Sequence, residues 1–132
     1  DVLSTDKNLE LDLGSVAVIA EVIVNGKKVE TLWKAPFRTN ITGFVVNGKN
    51  TLEIKVTNLW PNQLIGDEAF PLDYKRRGDK IKQLPDWLSN PSDRSSKRTT
   101  FASWKHWSKN DELLTSGLLG PVKIDVSVQR KL

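Results

Sequence analysis

Residues 20–27 read AEVIVNGK, and the reading of this stretch decides the fold. Aliphatic side chains fill both faces of Ala20-Glu21-Val22-Ile23-Val24, which suits a strand covered on each side. Asn25-Gly26 follows, and both residues accept the positive φ that a two-residue hairpin turn requires. The segment therefore predicts strand, tight turn, strand. The same letters return at Val46-Asn47-Gly48-Lys49, predicting a second hairpin that leads into Thr51–Thr57. There Leu52, Ile54 and Val56 face one way, and Thr51, Glu53, Lys55 and Thr57 the other. The flanks of the two VNGK copies differ, so the pair reads as turn chemistry and not as a repeat array.

Working outward, Leu9, Leu11 and Leu13 alternate with Glu10 and Asp12 before stopping at Gly14. At the other end, Val122, Ile124, Val126 and Val128 alternate with Lys123, Asp125, Ser127 and Gln129 after the turn Gly120-Pro121. Strands thus open and close the chain, and no segment shows a convincing amphipathic helix. The expected fold class is all-β, an antiparallel β-sandwich with a long irregular insertion between strands. That excursion, over residues 58–117, contains Pro61, Pro71, Pro85 and Pro91, the stretch DYKRRGDK and the polar run SNPSDRSSKR. Prolines at this density disfavour long helices and regular sheet. Within it, Asp86-Trp87-Leu88 predicts a helical turn and Arg98–Trp104 a further strand. Trp60, Trp87, Trp104 and Trp107 all lie there, too much apolar area for a disordered linker, so the arm is expected to be ordered.

A chain of 132 residues predicts a single domain with one core. With 38% hydrophobic and 27% charged residues and no apolar run near 18 residues, the composition is that of a soluble globular protein with no membrane partner. The opening DVLSTDKNLE has neither the basic start nor the apolar stretch of a signal peptide, and reads as a mature or cut terminus. Cysteine is absent, which removes disulfides, thiolate metal sites and cysteine nucleophiles. The net charge of +4 is uneven: between Lys75 and Lys109 ten Lys or Arg face only Asp79, Asp86 and Asp93. This segment reads as a solvated loop or as a basic binding surface.

Few side chains are equipped for chemistry. His106, the only histidine, sits in FASWKHWSK at 101–109. A nucleophilic triad would need a nucleophile elbow, which Ser116-Gly117 does not supply, and one histidine without cysteine cannot build the usual zinc sites. Asp67-Glu68 and Asp111-Glu112 are adjacent acids. Neighbours in an extended segment point to opposite sides and cannot flank one glycosidic bond as acid and nucleophile. Asp67 or Glu68 is instead expected to accept hydrogen bonds from backbone, from an arginine or from a sugar hydroxyl. The expectation is no catalytic residue, no metal site and no cofactor; calcium stays open, although no Asp-rich loop offers its ligands. Tryptophans interleaved with Asn, Asp and Lys suit a pyranose, and with Lys and Arg they also suit single-stranded nucleic acid. Packing of the arm is the third explanation of the same rings.

Five stretches together resemble a known family: LDLG at Leu11–Gly14, AEVIVNGK at Ala20–Lys27, LWKAPFR at Leu32–Arg38, NTLEIKVTNLWPNQLIGDE at Asn50–Glu68, and WKHW through SGLLGPVKI at Trp104–Ile124. They look like the C-terminal β-sandwich of bacterial α-L-rhamnosidase-like enzymes of glycoside hydrolase family 106. That domain is similar to the sugar-binding, galactose-binding-like jelly roll of family 2 glycosidases. The resemblance implies a non-catalytic module of a polysaccharide-degrading enzyme, periplasmic or extracellular, whose partner is the catalytic barrel of the same polypeptide and not nucleic acid. With the Trp, Asn, Asp and Lys inventory of the arm, ligand contact with oligosaccharide is expected through Trp60, Asn62, Asp67 and Glu68 on one side and Trp104, Lys105, His106 and Trp107 on the other, docking of the excursion onto the sandwich being the equal reading of WKHW. A purely structural interdomain scaffold is the alternative. The family's domain begins with strands ahead of LDLG, whereas only DVLSTDKN precedes it here, so one sandwich edge is expected to lack a partner.

Overall fold

A computed structural model describes residues 7–128; the polar opening DVLSTD and Gln129 lie outside this range. The chain divides into two compact units. One comprises the residues before Trp60 together with those after Leu114, and the other is Trp60–Leu114.

The first unit contains β1 (Lys7–Asp12), β2 (Ser15–Ala17), β3 (Ile19–Val24), β4 (Lys27–Leu32), β5 (Arg38–Asn40) and β6 (Leu52–Thr57). All strand pairs are antiparallel, and β3 is central to a sheet of order β4-β3-β6. Burial explains the sequence of this strand: Ala20, Val22, Ile23 and Val24 are all buried, so both faces must be apolar. Asn25 (φ 52°) and Gly26 (φ 75°) make the tight turn into β4, as the NG pair predicts.

The second VNGK does not form a hairpin. The strand before it, β5, pairs with β1, whereas β6 pairs with β3, so residues 41–51 cross between sheets. The loop is closed instead by the Asn50 side chain, which accepts from the Val46 N–H (2.8 Å) and donates to the Val46 carbonyl (2.8 Å). Asn25 donates to the same Asn50 oxygen (2.8 Å), so the two look-alike turns are tied together by their asparagines.

The second unit holds α1 (Pro61–Asp67) and two short strands, β7 (Arg76–Arg77) and β8 (Lys80–Ile81), among turns. The Asp86–Leu88 segment is a 3-10 turn, as expected from sequence. Helix α1 is not foreseen by the sequence reading; it spans only seven residues, too few for apolar periodicity to register, and its one local signal is Pro61 at the first helical position. Nor is Arg98–Trp104 a strand. The Thr99 and Thr100 N–H groups that a ladder would use both donate to the Asp67 carboxylate, and only Trp104 bridges to Lys80.

The chain returns to the first unit with β9 (Gly117–Gly120), paired with β2, and β10 (Lys123–Val128), paired with β1 in the order β10-β1-β5. The two three-stranded sheets enclose the core: Leu9, Leu11 and Leu13 from one side, and Ala20, Val22, Val24 and Leu32 from the other, with Phe37 and Ile41. This is an antiparallel β-sandwich. Gly14 marks a close approach, with φ 65° and a Cβ position that would lie 2.4 Å from the Gly120 carbonyl.

β10 departs from its pattern. Ile124 and Val126 stand opposite the buried Leu11 and Leu9, on the core-facing side, yet they are 54% and 52% exposed. β10 is an edge strand, and an apolar groove of about 540 Å³ runs between these two residues and Leu9, Ile41 and Val45. Its alternation encodes a buried face that nothing within the described residues covers.

Candidate functional site

The site lies wholly in the second unit and begins at the C-terminal end of α1, where consecutive acids take opposite directions. Asp67 is sealed, with 1% exposure. Its Oδ2 accepts from the Thr100 N–H (2.6 Å), the Thr100 hydroxyl (2.7 Å) and the Thr99 N–H (2.9 Å), and Oδ1 from the Gln63 amide (3.2 Å). Burial pushes this carboxyl up, but the hydrogen bonds from Thr100, Thr99 and Gln63 outweigh it and hold Asp67 below its ordinary value. Of the acceptor roles the sequence leaves open for this residue, the one from backbone N–H groups is the one the fold shows. Its satisfied lone pairs fasten α1 to residues 99–100.

Asn62 also has a structural task. It donates to the Leu114 carbonyl (2.8 Å) and accepts from the Leu114 N–H (2.8 Å), joining the start of this unit to its end. Trp60, 66% exposed, precedes the helix and contributes no residue to the cavity described next.

Glu68 points into a different environment. Its Oε1 meets Arg98 Nη1 at 3.0 Å and Arg76 Nη2 at 3.9 Å, and Oε2 lies 3.8 Å from Lys105 Nζ. Arg98 is nearly inaccessible and gives its remaining donors to the Phe70 and Pro71 carbonyls. Arg76 donates to the Tyr74 hydroxyl and packs over that ring at 5.1 Å. Its Nε and Nη1 are buried and have no hydrogen-bond partner among the described residues. Three cations thus converge on one carboxylate around a cavity of about 30 Å³.

The rim of that cavity answers the expectation for WKHW. Trp104, Lys105, His106 and Trp107 all border it, together with Glu68. Trp104 is 44% exposed and stacks with His106, the ring planes inclined by 28° and the centroids 6.3 Å apart. Lys80 Nζ sits 4.7 Å from the Trp104 centroid. The strip is held by backbone bonds, Lys105 N–H to Asp79 O (2.8 Å) and Ile81 N–H to Ser103 O (2.9 Å). Of the eight residues proposed for ligand contact, the fold gathers Glu68, Trp104, Lys105, His106 and Trp107 here and leaves Trp60, Asn62 and Asp67 outside the lining.

Arg76 and Arg98 line this cavity and Tyr74 accepts a hydrogen bond from Arg76, and the sequence singles out none of the three. The density of basic residues at 75–109 was the available signal, but it reads as surface charge. In the fold, Arg76 and Arg98 turn inward to Glu68, and Arg94 binds Asp73 at 2.6 Å while covering Trp87 at 4.2 Å. Trp87 and Tyr74 meet Phe101 edge-on, so Trp87 is a packing residue. A broader, open groove of about 550 Å³ runs past Leu72, Tyr74, Leu84 and Trp87.

The arrangement is not equipped for acid and base catalysis. Glycoside hydrolysis needs two carboxyl groups facing one bond, and here Asp67 is sealed while Glu68 is held among cations. Among the described residues, no three His, Cys, Asp or Glu side chains gather as a metal site, and no helix is long and apolar enough to cross a membrane.

Comparison with known proteins follows this division of labour. No family model matches the chain. It is 66% identical over 131 residues to a protein of Formosa agariphila named "Putative beta-glucuronidase", a match covering 99% of this chain and 11% of that protein. Among solved structures it resembles the rhamnosidase from Novosphingobium sp. PP1Y, with a TM-score of 0.70 and 33% identity over 96% of this chain and 10% of that one. The chain therefore spans about a tenth of the length of either protein and corresponds to a small β-rich part of a larger glycosidase-like polypeptide.

Proposed function

We propose that this chain is a non-catalytic, galactose-binding-like module of a rhamnosidase-like glycoside hydrolase of family 106, acting outside the cytoplasm, and that it contacts oligosaccharide through the Trp104–His106 rim. One observation carries the reading: a half-exposed tryptophan, braced by His106 and Lys80, borders a cavity lined with hydrogen-bonding charges. A pyranose presents apolar C–H faces and a fringe of hydroxyls, so a flat ring beside polar donors is a fitting surface for it. The 66% and 33% identities to segments of a putative β-glucuronidase and a rhamnosidase support a carbohydrate-processing context.

A second reading has its own support. The exposed Val122, Ile124, Val126 and Val128 of β10 and the preceding turn, on an edge strand, are suited to pack against another part of the same longer polypeptide, such as its catalytic barrel. On that reading the module is a scaffold without a ligand. Titration of the chain with rhamnose-containing oligosaccharides, followed by tryptophan fluorescence, separates the two. A saturable change that Trp104→Ala removes supports sugar contact; a flat response up to millimolar sugar leaves the scaffold.

A further inference from the structure

We infer that the Arg76–Arg98–Lys105 cavity takes a carboxylate, so that the sugar bound at the Trp104 rim is a uronic acid; this rests on the rim being a carbohydrate surface. Among the described residues, Glu68 is the one acid lining a cavity that three cations border, which leaves a local excess of positive charge beside aromatic walls. A second anionic group entering there is favoured, because charges screened from water interact more strongly than exposed ones.

The Arg76 side chain is only 9% exposed, and its Nε and Nη1 have no acceptor among the described residues, although buried guanidinium N–H groups ordinarily find one. Arg98 differs, since its bonds to Glu68, Phe70 and Pro71 occupy its fork. The available acceptors around Arg76 are already engaged: Tyr74 Oη receives one of its N–H groups, and Glu68 Oε1 is shared with Arg98. Arg76 Nε and Nη1 both lack accessible surface, so an incoming carboxylate would supply what is lacking as the guanidinium turns toward the cavity it lines.

About 30 Å³ exceeds what one water needs and falls far below the roughly 300–1,000 Å³ of a pocket that engulfs a small molecule. A planar carboxylate fits such a space, whereas a pyranose ring does not. The ring would remain outside, against Trp104 and His106, with Lys105 Nζ, on a side chain 44% exposed, reaching the anion from the solvent side. A bulkier tetrahedral sulfate is disfavoured by the same dimension.

The test compares methyl β-D-glucuronide, methyl β-D-glucoside, a sulfated methyl glucoside and acetate, each titrated into the full chain with tryptophan fluorescence as readout. The glucuronide is expected to bind about tenfold or more tighter than the glucoside, the increment of a charge-assisted contact. It should also weaken as salt is raised, and acetate and the sulfated sugar should compete poorly. Lys105→Gln, at a half-exposed position, should lower glucuronide affinity several-fold and narrow its margin over the glucoside. Arg76→Met should do the same, and if it fails to fold, the Arg76 Nε–Hε NMR resonance of the unaltered chain should move with glucuronide and stay put with glucoside. Equal affinity for glucuronide and glucoside overturns this inference alone. Absence of binding by any sugar overturns it together with the carbohydrate reading of the rim.

Discussion

Replacing Asp67 by alanine removes the acceptor on which the second unit converges. The carboxylate terminates α1, where the helix dipole disfavours a negative charge, so specific hydrogen bonds must more than offset that penalty. Alanine leaves the Thr99 and Thr100 N–H groups and the Thr100 hydroxyl without their acceptor, and Thr100 is only 7% exposed. A buried polar group left unsatisfied costs about 1–3 kcal/mol, so three groups, partly relieved by entering water, give a loss of about 3–5 kcal/mol. The assay is urea unfolding followed by tryptophan emission, which reports chiefly on this unit because Trp60, Trp87, Trp104 and Trp107 belong to it and only Trp33 to the other. With a slope of about 1 kcal/mol per molar urea for so small a unit, the midpoint should fall by about 3–5 M, or the unit should be open without urea. Because the native Asp67 carboxyl titrates below its unfolded value, the folded unit binds fewer protons near pH 4. Its contribution is therefore complete above the ordinary carboxylate range and is lost as pH falls through about 4 and below. Asp67→Asn should flatten that acid-limb slope. A midpoint change equivalent to less than about 0.5 kcal/mol for Asp67→Ala refutes the view that this carboxylate fastens helix to loop.

Gly14→Ala should cost about 2–4 kcal/mol by thermal or urea unfolding, because the new Cβ would stand 2.4 Å from the Gly120 carbonyl at a φ of 65°; a neutral result would mean the two segments separate easily. Ile124→Ser should cost no more than about 1 kcal/mol, since Ile124 is half-exposed, whereas Leu11→Ala, at 0% exposure on the paired position, should cost about 2–5 kcal/mol; equal losses would show that β10 is covered in solution. Asn50→Ala should destabilise the first unit by about 1–3 kcal/mol through the loop it closes, and an unchanged melting curve would remove Asn50 from that role.

Much of the fold was legible because strands announce themselves locally. The alternation Leu9, Leu11, Leu13 and the two-faced apolar run Ala20–Val24 required no partner to be recognised, and Asn25-Gly26 specified its own turn. The second VNGK shows the limit. Identical letters gave a different outcome because the residues before Val46 belong to another sheet, and that is a matter of pairing. The site was half legible: WKHW and Glu68 are brought to one cavity, but Asp67 beside Glu68 turns out to be a fastener, since only the position of Thr99 and Thr100, 32 and 33 residues away, determines which acid is sealed.

The sequence by itself determined the all-β character, the hairpin at Asn25-Gly26 and the absence of thiol chemistry, because these depend on neighbouring residues and on composition. Tertiary structure decided which charges became interior. Arg76, Arg94 and Arg98 look alike along the chain, yet burial beside Glu68 or Asp73 is set by segments distant in sequence, and it is burial that turns a solvated cation into part of a site.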